Sequence, residues 1–233
     1  MNKRGNLKIK KKKLKKSKLF IIVAALVVVL IAGFSTWLIV FNKKTETPNT
    51  TVQVRNNVDE TEVTEEDKNK HTVPADYPRY ISVPALGVDR ARVVNIGLIS
   101  GTKQLDSPIS IFDAGWYTKS SKPGTNEGAL LIDGHNGGPS KSGIFDKLGD
   151  LSAGSEIIVE RGDGQKFTYK VVSNKKLTLE EANDKSNPDG MSTMLESAES
   201  GKQGLNIITC VGNWVDAQNT FDQRVMLRAV QSE

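Results

Sequence analysis

The chain contains one cysteine and two histidines, and the cysteine and one histidine each follow an apolar run of strand-forming residues. Cys210 closes the stretch "GLNIITC" at residues 204–210, and His135 follows "ALLIDG" at residues 129–134. A thiol becomes a nucleophile near neutral pH when a neighbouring base or cation helps to deprotonate it. An imidazole can do this and then pass the proton to a leaving amine. The pair therefore indicates acyl transfer through a thioester.

Arg224 is the third residue with suitable chemistry, and it opens the last predicted strand in "QRVMLRAV". Alternation along that strand places Arg224, Met226 and Arg228 on one face. A guanidinium at this position could donate hydrogen bonds to the oxyanion of an acyl-transfer intermediate or hold the substrate backbone. We therefore predict that Cys210, His135 and Arg224 meet at one rim of a barrel. No carboxylate is obvious as a further member of the group.

Each of these residues also has an interpretation without catalysis. A lone cysteine can be a buried small apolar residue, a histidine in "DGHNGG" can be a turn residue, and a strand arginine can be solvated. The alternative to an enzyme is an anchored β-barrel that binds a surface ligand and has a buried structural Cys210. A papain-like peptidase would place its cysteine before its histidine in the chain, and a zinc site would need more ligands than these.

The sequence that must position Cys210, His135 and Arg224 predicts an all-β domain with short helices. From Tyr77 onward, short runs of β-branched and aromatic residues alternate with Gly, Pro, Asn and Asp. The clearest hairpin is "SEIIVERGDGQKFTYKVV", which turns at residues 162–164. About eight strands and one or two short helices predict a barrel or sandwich. "MSTMLESAES" at residues 191–200 is a candidate short helix.

The N-terminal segment differs in charge from the rest of the chain. Residues 1–18 hold ten of the 32 basic side chains and no acid, which leaves 22 basic against 27 acidic residues in the remainder. The body is therefore mildly acidic, and no nucleic-acid partner is predicted. One cysteine also excludes an internal disulfide.

An uncharged apolar run occupies residues 19–41. Its 23 residues would form a helix of about 35 Å, enough to cross a hydrocarbon core of about 30 Å. The run is too long for a typical cleaved signal peptide, which favours an uncleaved anchor. The lysines before it predict a single-pass protein with a cytoplasmic N-terminus and an extracellular body. The lipid bilayer is thus a predicted partner.

Residues 42–73 are rich in Thr, Asn, Glu and Val and read as a flexible extracellular stalk, so the catalytic domain is predicted to span residues 74–233. His71, at the end of this stretch, is interpreted as a solvated linker residue. The predicted organisation is therefore a basic tail (residues 1–18), a membrane helix (19–41), a stalk and one domain.

The three motifs together resemble those of sortases, the membrane-anchored cysteine transpeptidases of Gram-positive-type cell surfaces. The resemblance rests on "LLIDGHN", on "NIITC" with its cysteine 75 residues after His135, and on "QRVML" with its arginine 14 residues after Cys210. It extends over roughly residues 77–231. Within the family, "GWY" and "DGHN" look most like class F sortases.

The resemblance implies an eight-stranded sortase-type β-barrel after the membrane helix. It implies a thiol-dependent transpeptidase that cleaves an LPXTG-like sorting signal between Thr and Gly through a thioacyl-enzyme, then transfers the acyl group to an amine of the cell wall. Its partners would be sorting-signal proteins and a peptidoglycan precursor or other amine acceptor. By position, Cys210 is the nucleophile, His135 the acid and base, and Arg224 the substrate and oxyanion ligand.

The resemblance also implies lesser features of the site. Thr209 matches the family's threonine and would support the oxyanion, and Trp214 is a candidate for the groove. The groove floor is expected from residues 178–203, the loop after Cys210 and the strand before His135. No cofactor or metal is predicted, because the adjacent pair Glu180 and Glu181 is too little for the calcium that some sortases bind. The stalk lacks an aromatic or Asp-Pro lid motif, so an open site is expected.

Overall fold

A closed, eight-stranded β-barrel is the main feature of the computed structural model, which describes residues 58–232. The strands are β1 (Pro78–Val83), β2 (Val88–Ile96), β3 (Ala114–Tyr117), β4 (Ala129–Asp133), β5 (Glu156–Arg161), β6 (Lys166–Thr178), β7 (Gly204–Val215) and β8 (Thr220–Gln231). Two short α-helices, α1 (Glu65–Lys70) and α2 (Leu179–Asn183), accompany 3₁₀ turns at Pro84–Leu86, Leu148–Asp150 and Met191–Thr193. The all-β barrel predicted from the sequence is thereby confirmed.

The predicted tail, membrane helix and first part of the stalk, residues 1–57, lie outside the described residues. Between residues 58 and 232, no helix has the length and apolar character needed to span a membrane.

The strand order around the barrel brings the two candidate strands together. The order is β1-β2-β3-β4-β7-β8-β6-β5, and β5 closes the barrel against β1. The β4–β7 pair is parallel, with Ala129 opposite Gly204 and Asp133 opposite Ile208. Because both strands run in the same direction, the residues that follow Asp133 and Ile208 lie at the same end of the barrel. The two apolar runs are neighbours, as a meeting of His135 and Cys210 requires.

Alternation along β4, β7 and β8 divides their side chains between the barrel interior and an outer face. Val225, Leu227 and Ala229 are buried in the main core, as predicted for the face opposite Arg224. Met226 instead packs on the outside with a second apolar cluster, whose buried members are Leu131, Met194, Ile208 and Met226. Burial of one such large side chain stabilises the fold by about 1.5–3 kcal/mol. The outer cluster therefore anchors residues 188–196 over the sheet beside the candidate site.

Two strand ends differ from the sequence prediction. The strand that carries Cys210 does not end there, because β7 continues to Val215 and pairs Trp214 with Phe221 of β8. Arg224 likewise does not open β8, which begins four residues earlier at Thr220. The hairpin extends because its two arms keep pairing beyond a register shift between Val211 and Trp214. Cys210 and Arg224 are therefore held within the ladder.

Residues 58–73, the described part of the predicted stalk, contact the barrel. Asp59 bridges to Ser110 in parallel, and the Glu60 carboxylate accepts hydrogen bonds from the backbone N–H groups of Ser140 (2.8 Å) and Lys141 (3.0 Å). A capping box on Thr64 starts α1, since its hydroxyl accepts from the Asp67 N–H at 3.1 Å. These contacts give the segment fixed partners beside the loop that follows His135.

His71 corrects one interpretation drawn from the sequence. Its ring is half-buried, with Nε2 3.0 Å from the carbonyl oxygen of Val93 and the ring edge-on to Tyr80 at 5.9 Å. Burial, as the largest cause, lowers the pKa of the imidazole. His71 is therefore a packed residue of the barrel surface and not a solvated linker residue.

Candidate active site

The β7–β8 register determines which arginine accompanies the thiol. Cys210 lies directly opposite Arg224, whereas Arg228 lies opposite Asn206. The two arginines are four positions apart, a distance of about 13 Å along the strand. Arg228 instead donates from Nη2 to the Glu196 carbonyl at 3.1 Å and so braces the 188–196 segment. Of the two, only Arg224 is the cross-strand partner of the cysteine.

His135 is placed by the parallel β4–β7 pair. The Gly134 N–H donates to the Ile208 carbonyl at 3.2 Å, which continues the ladder beyond β4. Extending the register from Asp133 and Ile208 by two residues places His135 level with Cys210. The fully buried Thr209 adds a second link, because its hydroxyl donates to the Gly134 carbonyl at 2.7 Å. Thr209 thus ties the residue before the cysteine to the residue before the histidine.

The His135 ring is oriented by Pro108. Its Nε2 lies 2.8 Å from the Pro108 carbonyl oxygen. A carbonyl oxygen only accepts, so Nε2 carries the proton in this hydrogen bond. In the neutral ring, Nδ1 is then the nitrogen with a free lone pair. His135 can therefore accept a proton at Nδ1 while Pro108 holds the ring.

The Arg224 guanidinium is anchored by its own strand. Nη1 donates to the carbonyl oxygens of Phe221 (2.9 Å) and Gln223 (2.8 Å), and Nη2 donates to Thr220 Oγ1 at 2.8 Å. These bonds use three of the five N–H donors of an arginine. The Nε–H and the second Nη2–H have no hydrogen-bond partner among residues 58–232, which leaves two donors for a bound group.

The Cys210 thiol is partly exposed and lies close to groups of both charges. Burial, the largest cause, and the Asp133 carboxylate raise its pKa, whereas Arg224 and a hydrogen bond from Thr220 oppose that rise. The net effect is a raised pKa, so the resting sulfur is a thiol at neutral pH. A base must therefore take its proton before or during attack on a substrate.

Asp133 and Thr220 are parts of the site that the sequence analysis did not identify. Burial raises the pKa of Asp133 to about 6, while a Ser107 hydrogen bond and the charges of His135 and Arg224 hold it lower than burial alone would. The sequence showed no obvious carboxylate to accompany Cys210, His135 and Arg224, and Asp133 takes that place in the structure. Its one sequence signal is its position two residues before His135, the spacing that puts two side chains on the same face of an extended segment.

The remaining candidates lie around this group. Trp214 is 47 % exposed and packs edge-on against Phe221 at 5.3 Å, so its role in a groove stays a prediction. A surface cavity of about 320 Å³ is lined by the start of the 178–203 connection and by the β7–β8 hairpin. Its lining residues are Thr178, Leu179, Glu180, Val215, Gln218, Asp222 and Gln223.

Glu180 and Glu181 belong to the first turn of α2. The Glu181 carboxylate accepts from the Thr178 backbone N–H at 2.8 Å and caps that helix. In the part of the chain that the structure describes, no three His, Cys, Asp or Glu side chains are grouped to hold a metal ion.

A closed β-barrel with a thiol between an imidazole and a guanidinium defines a candidate cysteine acyltransferase. The family model described as the sortase domain matches residues 81–232, which is more than half of the chain. The chain therefore belongs to the sortase family, and the protein is a sortase, a cysteine transpeptidase. The alternative of a non-enzymatic surface module is set aside by this membership.

Solved sortase structures are similar to the chain at low identity. Pilus-related sortase C of Group B Streptococcus is 22 % identical, with 74 % of this chain and 75 % of that chain covered and a TM-score of 0.47. Sortase A from Corynebacterium diphtheriae, a lid mutant, is 20 % identical, with 72 % and 76 % covered and a TM-score of 0.47. Sortase C of Streptococcus pneumoniae is 18 % identical, with 75 % and 74 % covered and a TM-score of 0.48. No curated protein matches the sequence.

The two arginines of β8 make a matched pair of variants. We expect Arg224→Ala to lower kcat/KM for peptide cleavage by about 10²–10³-fold, because it removes the guanidinium donors of the residue opposite Cys210. Arg228→Ala should change it by less than about tenfold, and Arg224→Lys should restore activity only in part, since an ammonium lacks the planar fork. Steady-state kinetics on all three variants measures this. A larger loss from Arg228→Ala than from Arg224→Ala would contradict the assignment.

The Thr220 hydroxyl accepts from Arg224 Nη2 at 2.8 Å and lowers the pKa of Cys210, so its removal should have a graded effect. We expect Thr220→Val to lower kcat/KM by about tenfold, because one hydrogen bond to a charged group contributes about 1.5–3 kcal/mol. The pH dependence of Cys210 alkylation should also move to higher pH, since Thr220 stabilises the thiolate. Thr220→Ser, which keeps the hydroxyl, is the control. An unchanged alkylation curve in Thr220→Val would remove Thr220 from the site.

Proposed function

We propose that this sortase is a membrane-anchored transpeptidase that cleaves an LPXTG-like sorting signal between Thr and Gly. It then transfers the acyl group to an amine of the cell wall. The single observation that supports the proposal best is the convergence of three groups on one outer rim: Cys210 opposite Arg224 in β7–β8, and His135 level with Cys210 in β4–β7.

In the proposed first half-reaction, His135 accepts the Cys210 proton at Nδ1 as the sulfur attacks the carbonyl carbon of the scissile bond. The negative charge that develops on the carbonyl oxygen is met by the two free donors of Arg224. The resulting imidazolium then returns the proton to the leaving amine. The C–N bond breaks, a C–S bond remains, and the C-terminal fragment departs as a neutral amine.

In the second half-reaction, an incoming amine attacks the thioester carbonyl. Neutral His135 takes a proton from this amine, and the same Arg224 donors meet the second oxyanion. The C–S bond breaks, and the proton returns from the imidazolium to sulfur. The products are a new amide and a free thiol, so no oxidant, reductant or metal is consumed.

The proposed location follows from the amino-terminal sequence. The uncharged run at residues 19–41 would cross the membrane once, with the lysine-rich residues 1–18 in the cytoplasm. The barrel would then face the cell wall, where sorting-signal proteins and a peptidoglycan precursor or other amine acceptor are available. A membership in class F is proposed on "GWY" and "DGHN" alone.

The proposal is tested with the full-length chain in detergent micelles. The substrates are a panel of fluorogenic peptides that carry LPXTG and single-residue variants of it, each with and without an amine acceptor such as triglycine. We expect cleavage after Thr, a thioester adduct on Cys210 by mass spectrometry, and a transpeptidation product only with the acceptor. A peptide with its Thr and Gly exchanged is the control. Cleavage at another bond, or none across the panel, would reject the proposed substrate.

A further inference from the structure

We propose that the Asp133 carboxylate is a positioning residue of the active site, whose negative charge stabilises the imidazolium form of His135 and is balanced by the Arg224 guanidinium. The inference deepens the proposed function and rests on the roles given there to Cys210 and His135. It gives the Cys–His pair the anionic partner that the sequence alone did not identify.

Asp133 ends β4 opposite Ile208 of β7, the residue two before Cys210. It is also the residue two before His135, so alternation gives Asp133 and His135 the same outer face. On its other side, Asp133 faces Gly115 of β3, which has no side chain to compete for the carboxylate.

Residues 107 and 108 act on both side chains. Ser107 lowers the pKa of the Asp133 carboxyl, and the Pro108 carbonyl accepts from His135 Nε2 at 2.8 Å. One short segment therefore sets the positions of a carboxylate and an imidazole relative to each other.

Asp133 lies among groups of opposite charge. The charged or titratable groups that act on it are His135, two residues beyond the end of β4, and Arg224 from β8, and it acts in turn on Cys210 of β7. Asp106, the carboxylate that directly precedes Ser107 in the chain, instead accepts the Ser107 backbone N–H at 3.0 Å. A carboxylate so placed favours every protonated neighbour, which suits an imidazolium that must later donate its proton.

The charged form of Asp133 lowers the stability of the fold near neutral pH. Burial raises the pKa of Asp133 from its ordinary value of 3.8 to about 6. The folded state thus binds this proton more tightly than the unfolded state, and that stabilising contribution is lost as the pH rises through 6. Above that pH, a neutral side chain at position 133 would be the more stable choice. A charge retained against stability is expected at a functional site.

The test uses Asp133→Asn in the full-length chain, with Asp106→Asn as the matched control. Two pH profiles are measured: kcat/KM for peptide cleavage, and the rate of Cys210 alkylation by iodoacetamide. For Asp133→Asn we expect a loss of about 10–100-fold in the maximum kcat/KM. We also expect the acidic and basic limbs of the kcat/KM profile to move to lower pH by about one unit. The alkylation curve should move in the same direction by a similar amount, because removal of a negative charge weakens proton binding at His135 and Cys210. Asp106→Asn should move none of them.

A melting experiment separates this role from a structural one. We expect the Tm of Asp133→Asn to exceed that of the parent protein at pH 7.5 and to match it near pH 4, where the parent carboxyl is neutral. Lower activity with unshifted limbs, or a lower Tm at pH 7.5, would overturn the proposal. The alkylation curve needs no substrate, so a shift there with no cleavage by either protein would reject the proposed substrate and leave the Asp133 inference standing.

Discussion

Replacement of Cys210 by alanine is expected to abolish both cleavage and transpeptidation, with a fall of at least about 10⁴-fold in kcat. No other side chain in the chain carries a thiol, so the thioester route has no substitute nucleophile. The change removes one partly exposed sulfur from within β7, and the ladder bonds to β8 are made by the backbone. We therefore expect the free energy of unfolding to change by only about 1 kcal/mol.

The measurement for Cys210→Ala combines peptide kinetics, circular dichroism and intact-mass detection of the acyl-enzyme. Cys210→Ser is a useful companion, because a hydroxyl at this position keeps the shape but is a much weaker nucleophile than a thiolate. An adduct on the alanine variant, or cleavage at more than about 1 % of the parent rate, would show that the sulfur is not the nucleophile.

The raised pKa of Cys210 adds a pH signature to this prediction. Because burial disfavours the thiolate, alkylation of the resting enzyme should be slow at pH 7 and should accelerate as the pH rises. A protein whose thiol was sealed in the core would not react at any pH at which it stays folded.

Replacement of His135 by glutamine is expected to lower kcat by about 10²–10⁴-fold. The glutamine amide can still donate to the Pro108 carbonyl, so the variant retains a hydrogen-bond donor but has no group that can accept the thiol proton. Stopped-flow measurement of acyl-enzyme formation isolates this step from the attack of the amine.

His71→Gln is the matched control, because the second histidine also hydrogen bonds a backbone carbonyl through Nε2, that of Val93. We expect His71→Gln to leave kcat within about twofold of the parent protein. Equal losses in the two variants would mean that the imidazole at position 135 serves the fold and not the chemistry.

Much of the architecture follows from local sequence pattern. Alternation in "QRVMLRAV" places Val225, Leu227 and Ala229 in the core, and turn residues at 162–164 mark the β5–β6 hairpin. These signals are readable because a strand repeats every two residues and a tight turn needs particular residue types. The ends of β7 and β8 were not predicted, since cross-strand pairing extends both strands through polar residues that have no apolar alternation.

The residues of the site likewise fall into two sets, those identified from the sequence and those identified only from the structure. The sequence alone determined which residues carry distinctive chemistry, because a sole cysteine, a histidine after an apolar strand and an arginine in the last strand are visible without a fold. Only the tertiary structure gave the register that pairs Cys210 with Arg224, and only it showed that Asp133, Thr220 and Pro108 join the site. Pro108, Asp133 and Cys210 are separated in sequence by tens of residues, and they meet through the register of β4 with β7 and of β7 with β8. A shift of one residue in either pairing would turn a different set of side chains toward the sulfur.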